Sequence, residues 1–115
     1  MPITIGSKVY EVAYGKKARR EIEAARGKGL MEVCRDGMLL SHAAVIWAGI
    51  KHADKKLTLD DVANAIEGTD YDEQIRECLR ALLHAAPFGK KLDEATISRM
   101  VGDDEGEPGK ETPAA

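Results

Sequence analysis

This 115-residue chain has no excess of positive charge, no paired cysteines, no long apolar run and few aromatic rings. Each absence removes a class of function. The 17 Lys and Arg residues are outnumbered by 20 Asp and Glu, giving a formal charge of -3, so nothing global holds a phosphate backbone and nucleic acid is disfavoured as a main partner. Only two cysteines occur, Cys34 and Cys78, far apart in the chain. That pattern fits reduced thiols in a cytosol better than a disulfide framework. No apolar run approaches the ~18 residues that a membrane helix needs, and "MPITIGSKVY" has neither a basic lead nor an apolar signal core. A soluble cytoplasmic protein is the expectation.

What is present is a helical pattern on one small domain. A chain of this length with 43% hydrophobic residues builds one modest core, predicted over residues 1–101. Ile3 to Ile5 and Lys8 to Tyr14 alternate around Gly6-Ser7 as a β-hairpin over 3–14, with Tyr10, Val12 and Tyr14 on one side and Val9 and Glu11 on the other. "KKARREIEAARGKG" has good helix formers and one thin apolar stripe of Ala18, Ile22 and Ala25. "LMEVCRDG" reads as a short helix closed by Gly37. The strongest core signal follows, with Leu39, Ala43, Ile46, Trp47 and Ile50 at i, i+4, i+7, i+8 and i+11.

Thr58 and Asp61 stand at capping-box spacing before Leu59, Val62, Ala63 and Ile66, and Gly68 ends that run. Acids open the next helix, whose buried face is Ile75, Leu79, Leu82, Leu83 and Ala86, with Pro87 beyond it. A last helix is predicted from Leu92 to Val101. The fold class is therefore mainly α, about five short helices with an N-terminal β-hairpin, and a core of Ile46, Trp47, Ile50, Val62, Ile66, Leu79 and Leu82. Residues 102–115, "GDDEGEPGKETPAA", are glycine, proline and charge without an apolar anchor, and are expected to be a disordered tail.

The chemical constellations fail one by one. A calcium loop counted from Asp54 puts Lys56 at a ligand position and Leu59 where glycine is required; counted from Asp70 it puts Ile75 there. Asp60, Asp61, Asp70, Asp72 and Glu73 instead read as favourable charge at helix N-termini. His42, His52, His84, Cys34 and Cys78 show no zinc-ligand spacing. His42 reads as a partly buried helix residue, His52 and His84 as imidazoles near helix C-termini, and the cysteines as small buried apolar groups. "GEPGKET" is not a P-loop, because Asp104 replaces its first glycine and Glu111 its Ser/Thr. No catalytic residue, metal or cofactor is expected. One basic cluster remains, Lys16, Lys17, Arg19 and Arg20, candidate contacts for phosphates or an acidic protein partner. Glu21 and Glu23 follow at once and no aromatic interleaves, which favours a solvated helix face.

The segment "AAVIWAGIKHADKKLTLDDVANAIEG", preceded by "ITIGSKVYEVAYG", resembles the tail assembly chaperones of long-tailed bacteriophages and of gene transfer agent tail modules. Their pattern is a Trp-Ala-Gly step running into His-x-Asp, a polar turn and a Leu-Thr-Leu-acid-acid-Val helix start. Here these are Trp47, Ala48, Gly49, His52, Asp54, Leu57, Thr58, Leu59, Asp60, Asp61 and Val62. The likeness spans about Ile3 to Ala86, and the lysine- and arginine-rich "KKARREIEAARGKG" departs from the family pattern. The resemblance implies a non-enzymatic, mainly helical oligomer in the bacterial host cytoplasm that binds the tape measure protein, and the tail tube protein as a second client, keeping them soluble until the tube polymerises. It also implies two product lengths made by ribosomal frameshifting, for which Gly109-Lys110 marks a place where a slippery codon run would fall. The alternative from another class is a small regulator gripping nucleic acid through Lys16, Lys17, Arg19 and Arg20.

Overall fold

The computed structural model describes residues 2–85 and 91–101. Two antiparallel strands, β1 (Pro2–Ile5) and β2 (Lys8–Glu11), are followed by α1 (Ala18–Arg26), α2 (Leu30–Asp36) and α3 (Leu39–Ile50). A 3-10 turn (Lys51–Ala53) leads to α4 (Leu59–Ile66), α5 (Asp72–His84) and α6 (Glu94–Val101). The fold is mainly α with an N-terminal hairpin, as the sequence predicts, with six α-helices among the described residues where about five were expected.

α3 is the axis of the molecule. Ser41, Ala43, Ala44, Val45, Ile46, Ala48, Gly49 and Ile50 are all buried, so neighbours surround the helix instead of covering one stripe. Its small alanines and Gly49 allow that, since thin side chains let α1, α2, α4, α5 and β2 all approach one helix. The hairpin lays Ile3, opposite Tyr10 in register, together with Ile5 onto the core, while Val9 on the outer face is 68% exposed. Below it, Val62, Ala63 and Ile66 of α4 and Ile75, Cys78, Leu79, Leu82 and Leu83 of α5 complete the interior. α6 adds Ile97 and Val101.

Several expectations need correction. The second strand stops at Glu11 rather than Tyr14, because Glu11 already pairs with Pro2 and β1 supplies no partner further on. The Ala13 N–H bonds instead to Gly49 O at 2.8 Å, which turns the chain off the sheet and onto α3. Ala25 is exposed: α1 is so short that its buried face is Ala18 and Ile22 alone. Leu39, Leu59 and Trp47 are only partly buried against the core, while the other six predicted core residues are fully inside. The predictions for Ala86, Pro87 and the tail from 102 to 115 lie outside the described residues.

Local chemistry explains where the helices stop and start. Gly37 closes α2 at φ 68°, a left-handed conformation that a Cβ would strain. Thr58 Oγ1 accepts from the Asp61 N–H at 3.1 Å and Asp61 Oδ2 accepts from the Thr58 N–H at 3.0 Å, the reciprocal box that opens α4. α2 lacks a side-chain cap of its own, and Glu23 on α1 supplies one by accepting from the Leu30 N–H at 2.8 Å.

Candidate functional site

The residues of the Trp-Ala-Gly to Thr-Leu-Asp segment converge on one end of α3, where the 3-10 turn, the head of α4 and the linker after β2 meet. Trp47 Nε1 donates to Leu57 O at 3.0 Å, tying the helix to the turn before α4. Asp54 Oδ1 accepts from the Lys56 N–H at 3.1 Å and Asp54 O from the Leu57 N–H at 3.0 Å, which fixes that turn. His52 Nε2 donates to Glu11 O at 2.9 Å, so its nitrogen serves the end of β2 rather than the helix carbonyls. Gly49 is buried where only glycine fits. A Cβ there would sit 2.6 Å from Tyr14 Cζ, and Tyr14 OH donates to Val45 O at 2.6 Å. Burial, with the Cys78 and Cys34 thiols nearby, pushes the Tyr14 phenol well above its ordinary range.

These bonds make the segment a clasp between hairpin, α3 and α4. Its imidazole bonds the end of β2, the Thr58 hydroxyl caps α4, and Asp54 and Asp61 bond backbone amides of their own turn and cap. Among the described residues no three His, Cys, Asp or Glu side chains lie close enough together to hold a metal ion. Burial pushes the Cys34 thiol up to about 11 and the Cys78 thiol up to about 12, so both are protonated at neutral pH and are poor nucleophiles. His42 sits beside Tyr71, its Nδ1 2.8 Å from the phenol oxygen with the rings edge-on, and burial lowers its pKa against the pull of Asp36 and Asp72.

The basic run is split by the helix it opens. Lys16, Lys17, Arg19 and Arg20 are all exposed, Lys16 and Lys17 just before the first turn of α1 and Arg19 and Arg20 on it. Arg19 Nε pairs with Glu23 on the next turn at 3.1 Å. Lys17 turns the other way, toward a cleft of about 470 Å³ lined also by Ala13, Gly15, Ala18, Glu21, Ala48, Lys51, His52 and Lys55. Lys51 lies 4.7 Å above the Trp47 ring and holds Glu21 Oε2 at 2.7 Å. Sequence reading missed Lys51 and Lys55 because they are 34 and more positions from Lys17, and nothing local in either stretch announces their meeting.

A second polar cluster was also invisible beforehand. Ser41 is fully buried on α3, and its Oγ donates to Asp36 Oδ2 at 2.6 Å and accepts from Arg26 Nε at 2.9 Å. Lys28 completes the group at 2.5 Å from Asp36. Burial alone would raise the Asp36 carboxyl, yet Lys28, Ser41 and the Met38 N–H outweigh it and hold it down at about 2. This cluster locks α1, α2 and α3 together. Met31 in the first turn of α2, and Met38 and Leu40 at the start of α3, are exposed by 41%, 53% and 42%.

Compared with family models, with curated proteins and with solved structures, the chain finds no match.

Proposed function

We propose that this chain is a tail assembly chaperone of the long-tailed phage type, a non-enzymatic protein that binds the tape measure protein and keeps its long apolar helices soluble until the tail tube forms around them. The observation that carries the reading is the segment from Trp47 to Val62, in which Trp47 ties α3 to the turn before α4, His52 ties the 3-10 turn to the end of β2, and Thr58 with Asp61 caps α4. A chaperone needs a stable scaffold and an outward apolar face. Met38 and Leu40 at the start of α3, with Met31 on α2, supply exposed apolar side chains of the right type: methionine is unbranched and polarizable, and adapts to varied partner helices. An exposed face of this kind also suits self-association, so we place the protein in an oligomer that opens for its client, with the tail tube protein as a second client. The site of action is the host cytoplasm.

Co-expression with the tape measure protein encoded beside it tests the proposal. The expected result is a soluble complex that Met38→Asp and Leu40→Asp together abolish while the fold, followed by circular dichroism, persists. Absence of any complex, with salt-sensitive binding to DNA through Lys16, Lys17, Arg19 and Arg20, would replace this reading by that of a small nucleic-acid-binding regulator. The neighbouring genes supply an independent check, since a tail tube gene should lie upstream and a very long tape measure gene downstream. The frameshifted longer product is tested on the nucleotides over codons 102 to 115, where a slippery heptamer and an open frame beyond it must both be found.

A further inference from the structure

The cleft between α1 and the end of α3 has a composition that the clasp does not require. Three lysines, Lys17, Lys51 and Lys55, face one carboxylate, Glu21, and the floor is small: Ala13, Gly15, Ala18 and Ala48. Only Lys51 is matched, by Glu21 at 2.7 Å. No hydrogen bond or ion pair joins the Lys17 or Lys55 ammonium to another described residue. Holding two unmatched cations beside a third raises the local potential, which an anion from outside relieves.

The lining narrows the kind of anion. Lysines hold phosphate as point charges, but a tight phosphate site adds convergent backbone N–H groups or a bidentate arginine. Here the Ala13 and Ala18 amides are spent on Gly49 O and Gly15 O, and no arginine lines the cleft. No aromatic face is open for a nucleobase either, because Trp47 is partly buried and Lys51 lies over it. What separate lysine point charges do match is several carboxylates spaced along a peptide, and Glu21 on Lys51 already shows a carboxylate accepted within the cleft. We propose that this cleft binds an acidic segment of a partner protein, anchored by Lys17, Lys51 and Lys55. Glu21 acts as the resident counter-ion that the incoming carboxylates displace from Lys51. The proposal rests on the cleft alone, so its failure leaves the chaperone reading to its own test.

Trp47, the single tryptophan, lies under Lys51 and reports the displacement directly. The experiment titrates the full chain at low salt with a fluorescein-free decaglutamate peptide, following Trp47 emission, and repeats it with tripolyphosphate and with an oligothymidylate. The expected result is saturable, salt-sensitive peptide binding that Lys17→Gln and Lys55→Gln each weaken by about two- to fivefold, the range of exposed ion pairs. Glu21→Gln should tighten it by a similar factor, and Lys8→Gln on the hairpin should change nothing. The proposal is overturned if the peptide fails to bind, if both lysine variants bind it unchanged, or if tripolyphosphate or oligothymidylate binds more tightly than the peptide. It is also overturned if replacing Asp103, Asp104, Glu105 and Glu107 by their amides alters Trp47 emission while added peptide does not, for then the occupant is the chain's own acidic run.

Discussion

At the scale of single residues, the positions that matter most are those where size or charge leaves no freedom. Gly49 is one. A methyl group there would press on the Tyr14 ring, which cannot retreat without breaking its bond to Val45 O, so Gly49→Ala should destabilise the fold by about 1–3 kcal/mol in urea unfolding. The paired variant Tyr14→Phe loses only a hydroxyl bond and should cost about 0.5–1.5 kcal/mol. Ser41 is another such position, since removing its buried hydroxyl takes one hydrogen bond from each of two charged groups, Arg26 and Asp36; Ser41→Ala should cost about 1.5–3 kcal/mol.

Asp36 and His42 set the response to acid. Asp36 is depressed in the folded state to about 2 from an unfolded value of about 3.9, so its contribution is complete above that unfolded value and is lost as pH falls through about 2. His42 is also lowered, and a histidine with a depressed folded pKa is protonated first in the unfolded chain. Stability should therefore begin to fall below about pH 6.5, well before Asp36 titrates. Urea midpoints measured from pH 8 down to pH 2 should show these two limbs, and His42→Gln should remove the upper one.

At the scale of elements, two helices start by different means. α4 carries its own capping box, and Thr58→Ala should cost about 1 kcal/mol, read as a lower thermal midpoint with the wild-type spectrum retained. α2 borrows its cap from Glu23, whose pKa is lowered first by the Leu30 N–H and then by Arg19. Glu23→Gln keeps an acceptor but loses the charge, so α2 should fray more than α4 does, visible as faster amide exchange at Met31 and Glu32. The hairpin depends on α3 for its end, through Ala13 on Gly49 and His52 on Glu11, because a two-stranded ribbon is marginal by itself.

At the scale of the whole molecule, stability is concentric around α3. α1, α2, α4, α5 and β2 all pack on this helix, so the amides from Ala43 to Ile50 should exchange only through global unfolding, while those of β1 and β2 exchange through local opening. The same enclosure protects the thiols. Cys78 is fully buried on α5 and Cys34 partly so on α2, and both are held protonated. Maleimide labelling of the native protein at pH 7 should be slow at Cys34 and slower at Cys78, becoming fast at both in denaturant.

Much of this was legible in the residues themselves, because helix starts, stops and alternation are local. Thr58 with Asp61, the glycine after Asp36, and the Gly6-Ser7 turn each act within a few positions, and each lies in the structure where the pattern puts it, although the second strand ends at Glu11. The unbroken apolar run from Ala43 to Ile50, apart from the partly buried Trp47, also carried a signal that α3 is enclosed on all sides, which a single-stripe reading understates. Three features were decided only by packing. Gly49 reads as a neutral helix residue until Tyr14, 35 positions earlier, lands on it. Ser41 becomes the centre of a charge cluster only when three helices meet. The basic run of Lys16, Lys17, Arg19 and Arg20 reads in the sequence as a solvated helix face, but Lys16 and Lys17 precede α1 and only Arg19 and Arg20 lie on it. Arg19 therefore pairs with Glu23 while Lys17 joins Lys51 and Lys55 from the far side of the chain, a grouping of like charges that no local pattern could specify.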